Sequence, residues 1–140
     1  MTRPARVLVC RLGMPPMEEM VPPDPGLPGH LGGLMDLIGG PVEGVPLDGG
    51  VLLWCSQGGL RPALPLNRCV PMAPLLPPGF KDADPTQLAA DMARSARLRV
   101  HGDFVLARGD TLGNLADLTN SDVERWRLWL EVDAMVRHRK

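Results

Sequence analysis

Residues 64–71, LPLNRCVP, place the adjacent Asn67 and Arg68 between Pro65 and Pro71 in an otherwise apolar stretch. A guanidinium offers five donors in a planar fork that matches carboxylate or phosphate oxygens. An asparagine amide offers both a donor and an acceptor. The two prolines reduce the entropy that the segment loses on binding. We therefore expect a stiff, outward-facing turn whose Asn-Arg pair contacts a ligand or a partner.

A structural interpretation of the same pair stays open. Asn67 can close a turn through its own backbone, while Arg68 pairs with a carboxylate such as Glu43 on the neighbouring predicted hairpin. If the pair instead binds a phosphorylated molecule, further positive charge is needed beside it. The arginines that are candidates to supply this charge are Arg61, Arg99 and Arg108.

His101 and Asp103 form a second candidate cluster. Residues two apart on a strand point to the same face, as acid–base or metal partners do. These two side chains are too few for a catalytic triad or for a set of metal ligands. Ser56 is not part of a G-x-S-x-G motif and Cys55 follows Trp54 in a predicted strand, so neither has the surroundings of a catalytic nucleophile. The three cysteines contain no C-x-x-C pair, and GLPGHLGG lacks the Lys-Ser/Thr of a phosphate-binding loop. We predict no catalytic residues, no metal and no cofactor.

Length and composition favour one ordinary globular domain spanning residues 1–140. The formal net charge of −1 argues against a nucleic-acid binder that relies on overall charge. Two Phe, three Trp and no Tyr are too few aromatic side chains for a stacking platform. Widely spaced cysteines and an N-terminal apolar run too short for a signal peptide or a membrane span predict a cytoplasmic protein with no membrane partner.

Apolar periodicity in the first half predicts two strands, a helix and a hairpin. Residues 5–13 are apolar on both alternating faces, which is typical of a central strand, and MEEMV between prolines is typical of an edge strand. An apolar stripe over residues 30–40 that ends at Gly39 predicts a helix, with His30 at its start as a cap or facing water. The runs VEGVPL and VLLWCS around DGG predict a hairpin.

The second half predicts a surface helix over residues 84–98 and strands over residues 97–110, broken at Gly102. Thr119 and Asp122 have capping-box spacing before a long amphipathic helix, with Leu118 and Val123 at the staple positions. We therefore predict an α+β fold, a mainly antiparallel sheet with two or three helices packed on one face.

Several motifs together resemble a family of small proteins from actinobacterial, phage and plasmid genomes that carries only a domain-of-unknown-function label. The residues behind the resemblance are RVLVCRLGMPP, the Gly39-Gly40 helix end with its hairpin, LPLNR, VHGDFVLARGD and LTNSDVERW. Against that pattern, residues 71–97 are expected to be an insertion carrying the extra surface helix. The resemblance implies a small α+β domain linked to mobile elements and no activity that can be carried over.

These observations favour a non-enzymatic binding protein over an enzyme. Its partner is expected to be a host or mobile-element protein, or a small phosphorylated molecule, and the resemblance makes a counter-defence role an expectation by analogy. An exposed edge strand and a tryptophan-bearing last helix are compatible with a homodimer. The alternative function is DNA binding through the basic C-terminal helix, helped by Arg94, Arg97 and Arg99.

Overall fold

A computed structural model describes residues 3–26, 29–58, 64–71, 84, 86 and 97–137. Strands dominate this part of the chain, and two α-helices accompany them. The elements in chain order are β1 (Ala5–Cys10), β2 (Met17–Val21), α1 (Leu31–Ile38), β3 (Val42–Pro46), β4 (Val51–Ser56), β5 (Leu66–Pro71), β6 (Arg97–His101), β7 (Phe104–Gly109), β8 (Leu115–Ala116) and α2 (Asn120–Arg137).

The main sheet runs in the order β2-β1-β7-β4-β3, with the short β8 also paired to β7, and every pairing is antiparallel. Strand β1 lies in the interior and β2 at the edge, as the sequence predicts. The predicted hairpin is β3–β4, and its Asp48–Gly50 turn places Gly49 at a positive φ of 75°. This arrangement confirms the predicted mainly antiparallel α+β fold.

Both faces of the main sheet are buried, because its strands carry apolar side chains in both alternating positions. In β4, Leu53 and Cys55 belong to one core cluster, and Leu52 and Trp54 belong to the other. Helix α2 covers the first cluster, and α1 covers the second through its buried Leu34. The prediction that the helices share one face is therefore wrong: a sheet that is apolar on both sides needs a cover on each.

Strands β5 and β6 form a separate two-stranded sheet that adds to the cover on the α2 side. The chain leaves this small sheet at His101 and enters the main sheet at Phe104. Gly102 makes the corner at a φ of +80°, where a side chain at this residue would be strained and would also meet Leu64. The predicted break at Gly102 is confirmed: here the chain passes from the small sheet to the main sheet.

Local signals explain the helix ends. Gly39 adopts the left-handed conformation, and its N–H donates to the carbonyl oxygen of Met35 at 2.7 Å, which closes α1. At the start of α2, the Thr119 Oγ1 accepts the Asp122 N–H at 3.0 Å, and the Asp122 carboxylate accepts the Thr119 N–H at 2.9 Å. This reciprocal pair is the predicted capping box.

The helix predicted over residues 84–98, and with it most of the proposed insertion at 71–97, lies outside the described residues apart from single positions and the beginning of β6. Neither described helix is sufficiently long and apolar to span a membrane. The single-domain assignment and the cytoplasmic location stay predictions.

Candidate functional site

Asn67 and Arg68 lie in strand β5 and are buried, with 6% and 8% of their surface exposed. The expected outward-facing turn is therefore wrong. Proline was the misleading signal: Pro71 is the last residue of β5, which pairs with β6 alone in the described structure, and an edge strand of this kind tolerates a missing N–H. The β5–β6 register passes from Leu66 opposite His101 to Arg68 opposite Val100, so Asn67 is the extra residue of a bulge.

The bulge turns the Asn67 amide towards the main sheet. Its Nδ2 donates to the carbonyl oxygens of Cys10 and Gly102, both at 2.9 Å. The first acceptor ends β1, and the second belongs to the corner between the two sheets. Asn67 therefore holds three segments together, and because both bonds are buried, the side chain has a structural role and does not present itself to a ligand.

The Arg68 guanidinium is buried without a carboxylate partner among the described residues. Its Nη2 donates to the carbonyl oxygen of Met14 at 2.7 Å, and its Nη1 is buried with no acceptor in the described part of the chain. The Glu43 carboxylate, which the structural interpretation placed opposite Arg68, instead accepts a long 3.9 Å contact from the Cys55 thiol. That proposed ion pair is not formed.

The thiol of Cys10 also lies beside Arg68. Burial raises the pKa of Cys10 to about 12, and the negative charge of Asp103 adds to the rise. The charge of Arg68, its hydrogen bond to the thiol and the charge of Arg127 offset this only in part. Cys10 is therefore a protonated thiol at neutral pH and does not neutralise the guanidinium. A buried cation with one unused donor group and no carboxylate bonded to it among the described residues is the unusual feature of this part of the molecule, although the charge of Asp103 also reaches the Cys10 thiol.

His101 and Asp103 lie in the same corner but serve different loops. His101 Nδ1 contacts the carbonyl oxygen of Leu64 at 2.8 Å, and Asp103 Oδ1 accepts the N–H of Leu12 at 2.9 Å. The two side chains form no hydrogen bond with each other within the described structure. Their arrangement fixes the loops around Arg68 and does not resemble an acid–base pair.

The two candidate arginines that the structure describes, Arg99 and Arg108, do not gather around Arg68. Arg99 is exposed and lies opposite Cys69 in the backbone register of the small sheet. Because Cys69 and Arg68 are neighbours in β5, their side chains point to opposite faces, so the Arg99 side chain lies on the face that Arg68 does not occupy. Arg108 lies near the far end of β7, where its Nη2 donates to Asp122 at 2.9 Å. Arg61 is outside the described residues.

The Arg108–Asp122 contact belongs to the α2 cap. Burial acts to raise the pKa of Asp122, but the hydrogen bonds from Arg108 and Thr119 outweigh it and hold this pKa below its ordinary value. Arg125, one turn along α2, adds a second cation at 3.5 Å from the same carboxylate. Arg108 is thus committed to holding the helix start against β7.

Sequence reasoning missed a cavity of about 270 Å³ at the other end of β1, lined by residues 3–5, 115–117 and His30. His30 was expected to cap α1 or face water, but it is 1% exposed and makes no side-chain cap. Its Nε2 donates to the carbonyl oxygen of Arg3 at 2.6 Å, and its Nδ1 accepts the N–H of Leu115 at 3.1 Å. These partners are distant in sequence, so no local signal points to them.

No group of three His, Cys, Asp or Glu side chains within the described ranges is arranged to hold a metal ion. Comparison of the chain with protein families, curated proteins and solved structures finds no match. The resemblance to a mobile-element family therefore stays a prediction, and the function has to be argued from the geometry at Arg68 and in the cavity.

Proposed function

We propose that the protein is a non-enzymatic binding protein that takes an anionic group, such as that of a small phosphorylated molecule, at Arg68. The single observation behind the proposal is the buried guanidinium that has no carboxylate partner and one unused Nη1 in the described structure. Such a charge is costly to bury, and an anionic oxygen at Nη1 would offset that cost through a charge-assisted hydrogen bond.

The turn over residues 11–14 contacts Arg68 through Met14. Met14 N–H donates to the carbonyl oxygen of Arg11 at 3.1 Å, and Gly13 between them has a φ of 72°. The same turn presents the Met14 carbonyl to Arg68. Because Nη1 is buried, we propose that the ligand enters when this turn moves, and that its anionic oxygens then meet both guanidinium nitrogens.

The experiment measures the thermal midpoint of the protein with added inorganic phosphate and, separately, with a panel of nucleoside phosphates at constant ionic strength. A ligand that binds only the folded state raises the midpoint. We expect a rise for the native protein, a smaller rise for Arg68→Lys and none for Arg68→Met. Arg99→Met is the matched control, because Arg99 is exposed on the opposite face of the small sheet.

Two results count against this function. One is a midpoint that none of the phosphates changes. The other is a rise that Arg68→Met retains in full, which would assign the effect to surface charge. Mass spectrometry of molecules released on denaturing the freshly purified protein gives an independent check, because a copurifying phosphorylated compound identifies the ligand directly.

Contact with another protein through the edge strand β2 is the second candidate. Met17 and Met20 are 46% and 58% exposed, and the outer edge of β2 has no strand partner in the described structure. Exposed methionines and an open strand edge suit strand addition by a partner or by a second copy. If light scattering shows a dimer that the double variant Met17→Lys, Met20→Lys separates, this edge is the interface; a dimer unaffected by those changes uses another surface.

The association with mobile elements and the counter-defence role stay predictions that rest on the family resemblance. DNA binding also stays a prediction, because residues 138–140 of the basic C-terminus and Arg94 lie outside the described residues. A labelled duplex retained more weakly as salt rises would support it, and no retention at low salt would remove it.

A further inference from the structure

The cavity between residues 3–5 and 115–117 arises where strand β7 changes its neighbour. Residues Leu8–Cys10 of β1 pair with β7, but further along β7 the pairing passes to β8. The start of β1 is held instead by the segment after β8: Arg6 N–H donates to Asp117 Oδ1 at 2.8 Å, and Leu118 N–H donates to the Arg6 carbonyl at 3.0 Å. On the N-terminal side of Arg6, residues 3–5 line one wall of the cavity and residues 115–117 line the other.

His30 makes this cavity a preformed one. The N–H of Leu115 can only donate and the carbonyl of Arg3 can only accept, so Nδ1 carries no proton and Nε2 carries one. The buried ring thereby ties one wall, at Arg3, to the other, at Leu115. Fixed walls reduce the ordering that binding requires.

The two walls carry opposite charges that form no salt bridge with each other in the described structure. The Arg3 side chain makes no hydrogen bond or salt bridge within the described residues, and Asp117 uses only Oδ1, leaving Oδ2 without a described partner. At about 270 Å³ the cavity is slightly smaller than the sites of about 300–1,000 Å³ that hold drug-sized ligands. A small molecule bearing one anionic and one cationic group fits both the size and the charges.

We propose that this cavity binds a small zwitterion of the α-amino acid class. Its carboxylate contacts the Arg3 guanidinium, and its ammonium group donates to Asp117 Oδ2. The site is separate from Arg68, because it lies at the opposite end of β1. A failure of this proposal would therefore not affect the function proposed at Arg68, and a failure of that function would not affect this proposal.

The test is a titration of the protein with glycine, alanine, glutamate and lysine, followed by calorimetry and by the amide NMR signals of Leu115 and Leu118. Acetate and ethylamine are the single-charge controls. We expect at least one amino acid to bind and both amides to shift. Arg3→Met and Asp117→Asn should each weaken binding about tenfold or more, the loss expected for one charged hydrogen bond. Arg99→Met, at an exposed arginine that does not line the cavity, should leave binding unchanged.

Three outcomes overturn the proposal. None of the four amino acids binds at concentrations up to about 10 mM, which corresponds to a binding free energy of less than about 3 kcal/mol. Acetate or ethylamine binds as well as the amino acids, so that one charge suffices. Binding occurs but both cavity variants retain it, although their NMR spectra show the native fold, in which case the amino acid occupies another site.

Discussion

Replacing Arg68 by methionine separates a functional role of the buried guanidinium from a structural one. The change removes one charged hydrogen bond, from Nη2 to the Met14 carbonyl, which contributes about 1.5–3 kcal/mol. It also removes an unpartnered buried nitrogen, which costs about 1–3 kcal/mol, and a buried charge, whose desolvation costs several kcal/mol. Methionine is apolar and flexible enough to occupy the same space.

The balance favours the variant. We expect Arg68→Met to have a free energy of unfolding equal to that of the native protein or higher by up to about 3 kcal/mol. The assay is urea denaturation followed by far-ultraviolet circular dichroism, with Arg68→Lys as the control that keeps a charge in the same place. The stability comparison is made without added phosphate, so that ligand binding does not contribute.

A loss of about 3–5 kcal/mol in Arg68→Met would refute the reasoning. That is the cost of breaking a buried ion pair, and it would mean that a carboxylate neutralises Arg68 in the folded protein. The guanidinium would then be a structural group, and the proposed binding function would lose its basis. A stable variant that no longer responds to phosphate gives the opposite conclusion.

Three further predictions concern Asn67 beside this site, Asp122 at the start of α2, and the three cysteines. Asn67→Ala should lower the free energy of unfolding by about 2–4 kcal/mol, measured by urea denaturation, because the buried carbonyls of Cys10 and Gly102 both lose their donor; a loss below about 0.5 kcal/mol would contradict the structural role. Because the pKa of Asp122 is lowered in the folded protein, its carboxylate stabilises the fold at any pH above the ordinary pKa of aspartate, and this stabilisation is lost as the pH falls through the lowered pKa. Asp122→Asn should therefore lower the free energy of unfolding by about 2 kcal/mol at pH 7 and flatten the decline in stability below about pH 4. A decline below about pH 4 that is the same in the variant would contradict this. All three cysteines are buried, so none should react with a thiol reagent in the native protein and all should react in urea, whereas fast labelling of the native chain would show local opening.

Local patterns predicted the elements whose signals lie within a few residues. The alternation in residues 5–10 indicates a strand that is buried on both sides, and the Asp48–Gly50 turn and the box formed by Thr119 and Asp122 are signals of the same short range. The same pattern indicates that the helices lie on opposite faces of the sheet, because a sheet with apolar side chains on both faces needs other elements packed against each of them.

The site could not be predicted in the same way, because its contacts are distant in sequence. Asn67 bonds to a carbonyl 57 residues away, and His30 bonds to an N–H 85 residues away. Prolines around LPLNRCVP suggested a turn, but a strand that ends at Pro71 satisfies the same preference. The burial of Arg68 depends on the bulge at Asn67, and no pattern in the sequence marks that bulge.

The double-faced sheet gives each side of the core its own fluorophore. Trp54 lies in the cluster under α1, and Trp126 lies in the cluster under α2. Strand β4 contributes alternate residues to both clusters, so neither layer can separate without disturbing the other. A variant that keeps only Trp54 and a variant that keeps only Trp126 should therefore show the same melting temperature by tryptophan fluorescence, although the two side chains lie on opposite faces of the main sheet.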